Sequence, residues 1–141
     1  MVNKEAHMTD AILSTQLMIN VNNKVGTVAE VSSTISASGI NLIAVCAYAI
    51  DNNGFIMFVT EDNKKAKKLL IDKKYDVREE EVVLLNIDNK PGALHAVTQR
   101  IADCGIDLTL LYGSVERKGK KSQVVLISEN NNAVLAAIKT M

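Results

Sequence analysis

Residues 89–108 read NKPGALHAVTQRIADCGIDL: an Asn-Lys-x-Gly turn, an amphipathic helical period, a glycine stop and the opening of a strand. Residues 23–42 read NKVGTVAEVSSTISASGINL, the same text about 66 residues earlier. Asn23/Asn89, Lys24/Lys90, Gly26/Gly92, Val31/Val97, Ile35/Ile101, Gly39/Gly105, Ile40/Ile106 and Leu42/Leu108 coincide. A match this dense and in register means that the chain is built twice from one unit.

Working outward from the repeat, residues 14–21 alternate, with Leu17, Ile19 and Val21 on one face, and predict a half-buried strand. After the first Asn-Lys-x-Gly turn, Val28, Val31 and Ile35 fall at helical spacing. Residues 40–50 and 55–60 are apolar runs joined by Asp51-Asn52-Asn53-Gly54, a hairpin signal. Asp62 or Asn63 can cap a second helix carrying Ala66, Leu69 and Leu70, and residues 76–80 make a short fourth strand. The first repeat, 14–80, therefore reads strand-helix-strand-strand-helix-strand, after a polar tail, 1–13. The second, 81–141, restarts at the apolar VVLLNI of 82–87. Pro91 suits the first helical position, and Leu94, Val97 and Ile101 point inward. A hairpin joined through 117–121 follows, then a last helix capped by Asn130 with Ala133, Ala137 and Ile138 inward. The second repeat has no fourth strand, so 82–87 is left as an apolar edge that the tail, the first repeat or a partner chain must cover.

Composition limits what the protein does. The chain has 141 residues, 16 basic and 16 acidic side chains, and a formal net charge of zero. No general attraction to polyanions is available, which argues against nucleic acid. No run reaches the ~18 apolar residues of a membrane span, and the N-terminus has no apolar signal core, so a soluble, cytoplasmic protein is expected. Cys46 and Cys104 are far apart and read as small buried hydrophobes in a reduced setting. With two His and no nucleophile triad, metal-spaced cluster or phosphate loop, neither catalysis nor a cofactor is expected.

A doubled βαββαβ unit, with Asn-Lys-x-Gly before the helix and Gly-Ile-Asn/Asp-Leu after it, resembles the ACT domain. The likeness runs from about residue 14 to 141 and is greatest to small stand-alone proteins made only of two ACT repeats. It implies an α+β protein of two ferredoxin-like repeats with antiparallel sheets, the second lacking its last strand. It also implies a non-catalytic regulatory protein that binds a small amino acid or related metabolite where domains pair, as a homodimer or higher homo-oligomer. The alternative it carries is a regulatory subunit acting through contact with a separate amino-acid biosynthetic enzyme.

By the same resemblance the ligand-binding residues are Asn22, Asn23, Val25, Gly26, Asn41 and Leu42 in the first repeat, and Asp88, Asn89, Pro91, Gly92, Asp107 and Leu108 in the second. In serine-binding members a loop Asn matches Asn23 and Asn89, and a polar residue from the facing domain matches Asn41 and Asp107. Val21 and Ile87 stand where some of those members carry a polar side chain, a departure that puts serine itself in question. The chemistry agrees with the role. A Gly allows close backbone approach to a ligand, free N–H groups at a helix start favour a carboxylate, and an Asn amide serves carboxylate or ammonium. Asp107 would favour an ammonium. Each residue also has a purely structural reading: the glycines as turn formers, Asn23 and Asn89 as helix caps, Asn41 and Asp107 as solvated strand starts, and His95 as a surface side chain. An RNA-binding domain shares the βαββαβ order. It would need exposed aromatics and a basic face, and the chain has two Phe, three Tyr and no net charge.

Overall fold

The computed structural model describes residues 10–114 and 121–141, in the order β1 (Asp10–Asn22), α1 (Thr27–Ser36), β2 (Leu42–Ile50), β3 (Asn53–Thr60), α2 (Asn63–Asp72), β4 (Val77–Asp88), α3 (Ala93–Asp103), β5 (Leu108–Gly113), β6 (Lys121–Ser128) and α4 (Asn131–Lys139). Two compact units form: Thr15–Glu80, and Glu81–Met141 together with the start of β1. In the first, the sheet order is β2-β3-β1-β4, with residues 77–80 of β4 in the last place. In the second, the order is β5-β6-β4-β1, with residues 10–14 of β1 in the last place. Both are the ferredoxin-like order. The place of the fourth strand that the second repeat lacks is taken by residues 10–14, from the tail that was one of the three covers expected for that edge.

β1 therefore begins at Asp10 rather than near residue 14, and Ala11 packs against the second core. Likewise 76–80 and 82–87 are not two strands but one, β4. Val82, Val83, Leu84, Leu85 and Ile87 are all buried, so both faces of this strand are covered, as its unbroken apolar run suggests. The connection expected at 117–121 lies outside the described residues up to 120, and Lys121 opens β6.

The two cores correspond almost residue for residue. Leu17, Ile19, Val31, Ile35, Ile56, Phe58, Ala66 and Leu70 fill the first, and Val83, Leu85, Val97, Ile101, Val124, Leu126, Val134 and Ile138 the second. Both hairpins carry a register shift at the same place, between Leu42/Ala44 and between Leu108/Leu110. Some sequence expectations fail at the helix surfaces. Val28 and Leu94, expected to point inward, are 48% and 41% exposed. Val134, rather than Ala133, is the fully buried residue at the start of α4. Cys104 is exposed at the C-cap of α3 and Cys46 is half-buried on β2, so neither is the buried hydrophobe expected. α3 closes with Gly105 N–H bonded to Ala102 O and Ile106 N–H to Ile101 O, the paired bonds of a Schellman cap.

One polar device is repeated that residue identity alone hides. Asn63 Oδ1 accepts from the Thr60 amide and hydroxyl (2.9 and 2.8 Å), and its Nδ2 donates to Thr15 O at 2.8 Å. Asn131 Oδ1 accepts from the Ser128 amide and hydroxyl (2.9 and 3.0 Å), and its Nδ2 donates to Glu81 O at 3.2 Å. Asp62 and Asn130, just before each, cap α2 and α4. Each asparagine thus ties the end of one strand, the middle of another and a helix N-terminus. Asn63→Ala and Asn131→Ala should each lower unfolding free energy by about 1–3 kcal/mol, since partly buried amides lose their acceptor. Urea unfolding of the single variants checks this; a change within error for both would show that the bonds are replaced by water.

Among the described residues, no helix is long and apolar enough to cross a membrane.

Candidate functional site

The first Asn-Lys-x-Gly loop is a turn followed by a helix. Thr27 N–H points back to Lys24 O at 3.5 Å, and Gly26 sits at φ 93°, ψ −5°, the third position of a type II turn. Ala93 N–H bonds Lys90 O at 3.2 Å, with Gly92 at φ 87°, ψ −9°. Pro91 therefore occupies the second position of that turn, and not the first helical position expected of it. A side chain at Gly26 or Gly92 would meet nothing within 4 Å, so the backbone angle, and not crowding, requires glycine. These glycines, and not Asn23 or Asn89, occupy the helix N-cap positions.

The first bond of α1 runs from Glu30 N–H to Gly26 O at 3.0 Å. The amides of Thr27, Val28 and Ala29 precede that ladder, at the positive end of the helix dipole. They open on a cleft of about 440 Å³. Its polar end is Asn23, Lys24, Gly26 and Thr27; its sides are Val21, Val28 and Ile56; its floor is Ala47, Ala49 and Gly54, with Tyr48 and Phe55 at the border. The hollow exists because the floor residues are small. Gly54 lies inside β3 rather than in the hairpin turn, where Asp51 takes the positive φ of 54°. A Cβ on Gly54 would come within 3.2 Å of Val21 Cγ2. Ala47, Ala49 and Gly54 were not among the expected site residues, although Ala-x-Ala opposite a strand glycine is a readable sign of a recess.

The other expected residues of the first repeat are elsewhere. Asn22 borders a second cleft of about 370 Å³ with Lys73, Lys74, Tyr75 and Glu30. There the Tyr75 hydroxyl donates to Glu30 Oε1 at 2.7 Å. Burial first, then the Glu30 hydrogen bond and charge, push this phenol up to about 12, so it stays a proton donor throughout the neutral range. Asn41 and Leu42 border a third cleft, of about 520 Å³, beside Ser32 and Ser36 at the far end of α1. Val25 is fully exposed at the turn tip. Asn23 and Gly26 thus line one cleft and Asn41 and Leu42 another, while Asn22 borders a neighbouring cleft that shares Val21, Lys24 and Thr27 with the first.

In the second repeat Asp88 pairs with Lys121 at 3.2 Å, the position held in the first by the Asn22 and Asn53 register pair. Asn89 is half-buried, and Pro91 and Gly92 are exposed at the turn. Asp107 O accepts from Glu129 N–H at 3.2 Å, and Leu108 opens β5. His95 is exposed in the first turn of α3.

No curated protein matches the chain in sequence. Among solved structures, protein BT0572 from Bacteroides thetaiotaomicron is 28% identical, with a TM-score of 0.85 over 92% of this chain and 89% of that one. The ligand-free regulatory subunit of aspartate kinase from Thermus thermophilus shares the fold at 15% identity and a TM-score of 0.66, covering 92% and 95%. Aspartate kinase from Clostridium acetobutylicum does so at 9% and 0.58, covering 94% of this chain and 33% of that one. The profile of the ACT domain pair matches residues 12–139, which span both Asn-Lys-x-Gly loops and both cores, and the chain belongs to that family.

Proposed function

We propose that this ACT domain pair is a non-catalytic, cytoplasmic regulatory protein that senses a small amino acid, using two repeats over 14–80 and 81–141. The observation that carries the reading is the cleft at the Asn23–Gly26 turn. Uncapped amides at the start of α1 and the Lys24 ammonium can hold a carboxylate, while the Asn23 amide serves the ammonium. Asn89, Lys90 and Gly92 repeat the arrangement in the second half.

Pairing between chains follows from β2. Its nine residues, LIAVCAYAI, carry no charge, and Leu42, Val45, Tyr48 and Ile50 are 40–59% exposed. An uncharged apolar edge of this kind is a template for strand addition. The Asn23 amide bonds Asn52 O at 2.8 Å, which fixes the loop beside the end of β2 opposite Asn41. Antiparallel pairing with a second copy would bring the partner's β2 start to this loop and join the residues that one chain keeps apart. A ligand at such a junction tightens the dimer by its differential affinity for the paired state. The same edge suits the alternative role, a subunit docked on a separate biosynthetic enzyme.

A thermal-shift screen of the twenty amino acids tests the reading. A ligand at ~100 times its dissociation constant adds roughly 2.7 kcal/mol, a visible rise in Tm. Asn23→Ala should weaken that ligand at least about tenfold, roughly 1.4 kcal/mol, and Asn89→Ala should do so if the second loop also binds. No shift for any amino acid would remove the sensor reading and leave the docked subunit, to be sought by copurification.

A further inference from the structure

We infer that the cleft between the end of β1, the start of α1 and the α2–β4 connection binds a phosphate-bearing small molecule. Lys24, in the turn before α1, and Lys73 and Lys74, after α2, border one recess of about 370 Å³. None of the three is in an ion pair among the described residues. Two carboxylates share the border, Glu30 and Asp76, and Glu30 is engaged by the Tyr75 hydroxyl at 2.7 Å. Three ammonium groups against two carboxylates leave the recess positive in a chain whose formal net charge is zero. Positive groups gathered on a concave surface focus the field, and their mutual repulsion is relieved when an anion enters. A dianion satisfies more of them at once than a single carboxylate does, which selects phosphate. Asn20 and Asn22 carry uncharged amide donors to the same border. The recess is larger than a phosphate group, and Val21 and the Tyr75 ring are left to contact the carbon skeleton that carries it.

The backbone marks the same place. α1 and α3 are followed by glycines in the left-handed region, Gly39 at φ 73° and Gly105 at φ 71°. After α2 the residue in that region is Lys74, at φ 73°. Lys74 N–H bonds Ile71 O at 2.9 Å and Tyr75 N–H bonds Leu70 O at 3.1 Å, the same closing pair that Gly105 and Ile106 make after α3. A Cβ is disfavoured in this conformation, so glycine would serve the turn better. Non-glycine residues held there gather at functional sites. What Lys74 supplies and glycine cannot is an ammonium group at the border of the cleft.

Titration of the isotope-labelled full chain with inorganic phosphate and with glycerol 3-phosphate, at constant ionic strength, tests the site. Saturable amide shifts are expected around residues 20–24 and 73–76, with the ester bound at least as tightly as phosphate and more tightly than succinate. Lys73→Gln and Lys74→Gly should each weaken both phosphate probes by about three- to fivefold, the upper range for one exposed charge pair. Lys74→Gly should also leave the ligand-free Tm unchanged or higher, because glycine suits the left-handed turn, which separates lost binding from misfolding. Glu30→Gln should tighten both probes, since it removes a like charge from the border. Lys64→Gln and Lys68→Gln, exposed on α2 and outside the cleft, should change neither. Lys24 stays unchanged throughout, because it also borders the first cleft. The inference is overturned by absent or unsaturable shifts, by affinity indifferent to Lys73→Gln and Lys74→Gly, by equal weakening in the Lys64 and Lys68 variants, by weaker binding in Glu30→Gln, or by tighter binding of succinate. Each of those results leaves the amino-acid screen untouched, so failure of this site and failure of the sensor reading are told apart.

Discussion

Phe58→Ala should cost about 3–5 kcal/mol of unfolding free energy, a large part of the 5–15 typical of a domain. Phe58 is 1% exposed and is the largest fully buried side chain. It lies in the middle strand of the β2-β3-β1 set, paired with Leu17 on one side and Val45 on the other. α1 and α2 cover its face through Ile35 and Leu70, so its removal leaves a void bounded on every side by regular structure that relaxes little. Leu126 holds the same place in the second core, and Leu126→Ala should cost about 2–5 kcal/mol. Guanidinium unfolding of each variant reads the difference; a loss below about 1 kcal/mol for Phe58→Ala would mean that the core is loosely packed.

A fragment of residues 81–141 should not fold as a monomer. It contains β4, α3, β5, β6 and α4, yet its unit also includes the start of β1. Without that segment β4 has β6 on one side and an open ladder on the other, along five buried apolar residues. Exposed edges of this length and composition pair with other chains. Light scattering should find oligomers or aggregate, and a chain spanning 10–141 should not show that defect. A soluble, monomeric 81–141 with native-like circular dichroism would sink the argument.

Much of the fold was legible because the repeat fixes it twice. The turn glycines, Val31 and Ile35, Val97 and Ile101, and the β2–β3 hairpin all follow from local period and turn chemistry. What escaped was non-local. The tail was one of three covers expected for the edge of 82–87, but nothing local in 10–14 singles out Asp10-Ala11-Ile12 over the other two. Gly54 looked like a turn residue because Asn-Asn-Gly is a turn signal; its actual role, making room for Val21, depends on the neighbouring strand. For the site, the loop was readable from Asn23 and Gly26. Its floor was not, since Ala47 and Ala49 matter only for what they leave empty. Asn63 and Asn131 escaped for a related reason: their partners, Thr15 and Glu81, are brought near by topology.

The sharing of β1 also sets an order of events at the ribosome. Residues 10–14 are made well before the rest of their unit, which is Glu81–Met141. At roughly 5–20 residues per second, about 3–15 s separate synthesis of residue 14 from that of β4. Once residue 80 is made, Thr15–Glu80 can close its own core, with β1 already half used. The free half, Asp10-Ala11-Ile12-Leu13-Ser14, then serves as a pre-set template on which the newly emerged β4 lands. A nascent chain stalled before Glu81 should be compact but leave residues 10–14 without their β4 partner and Ala11 without the second core.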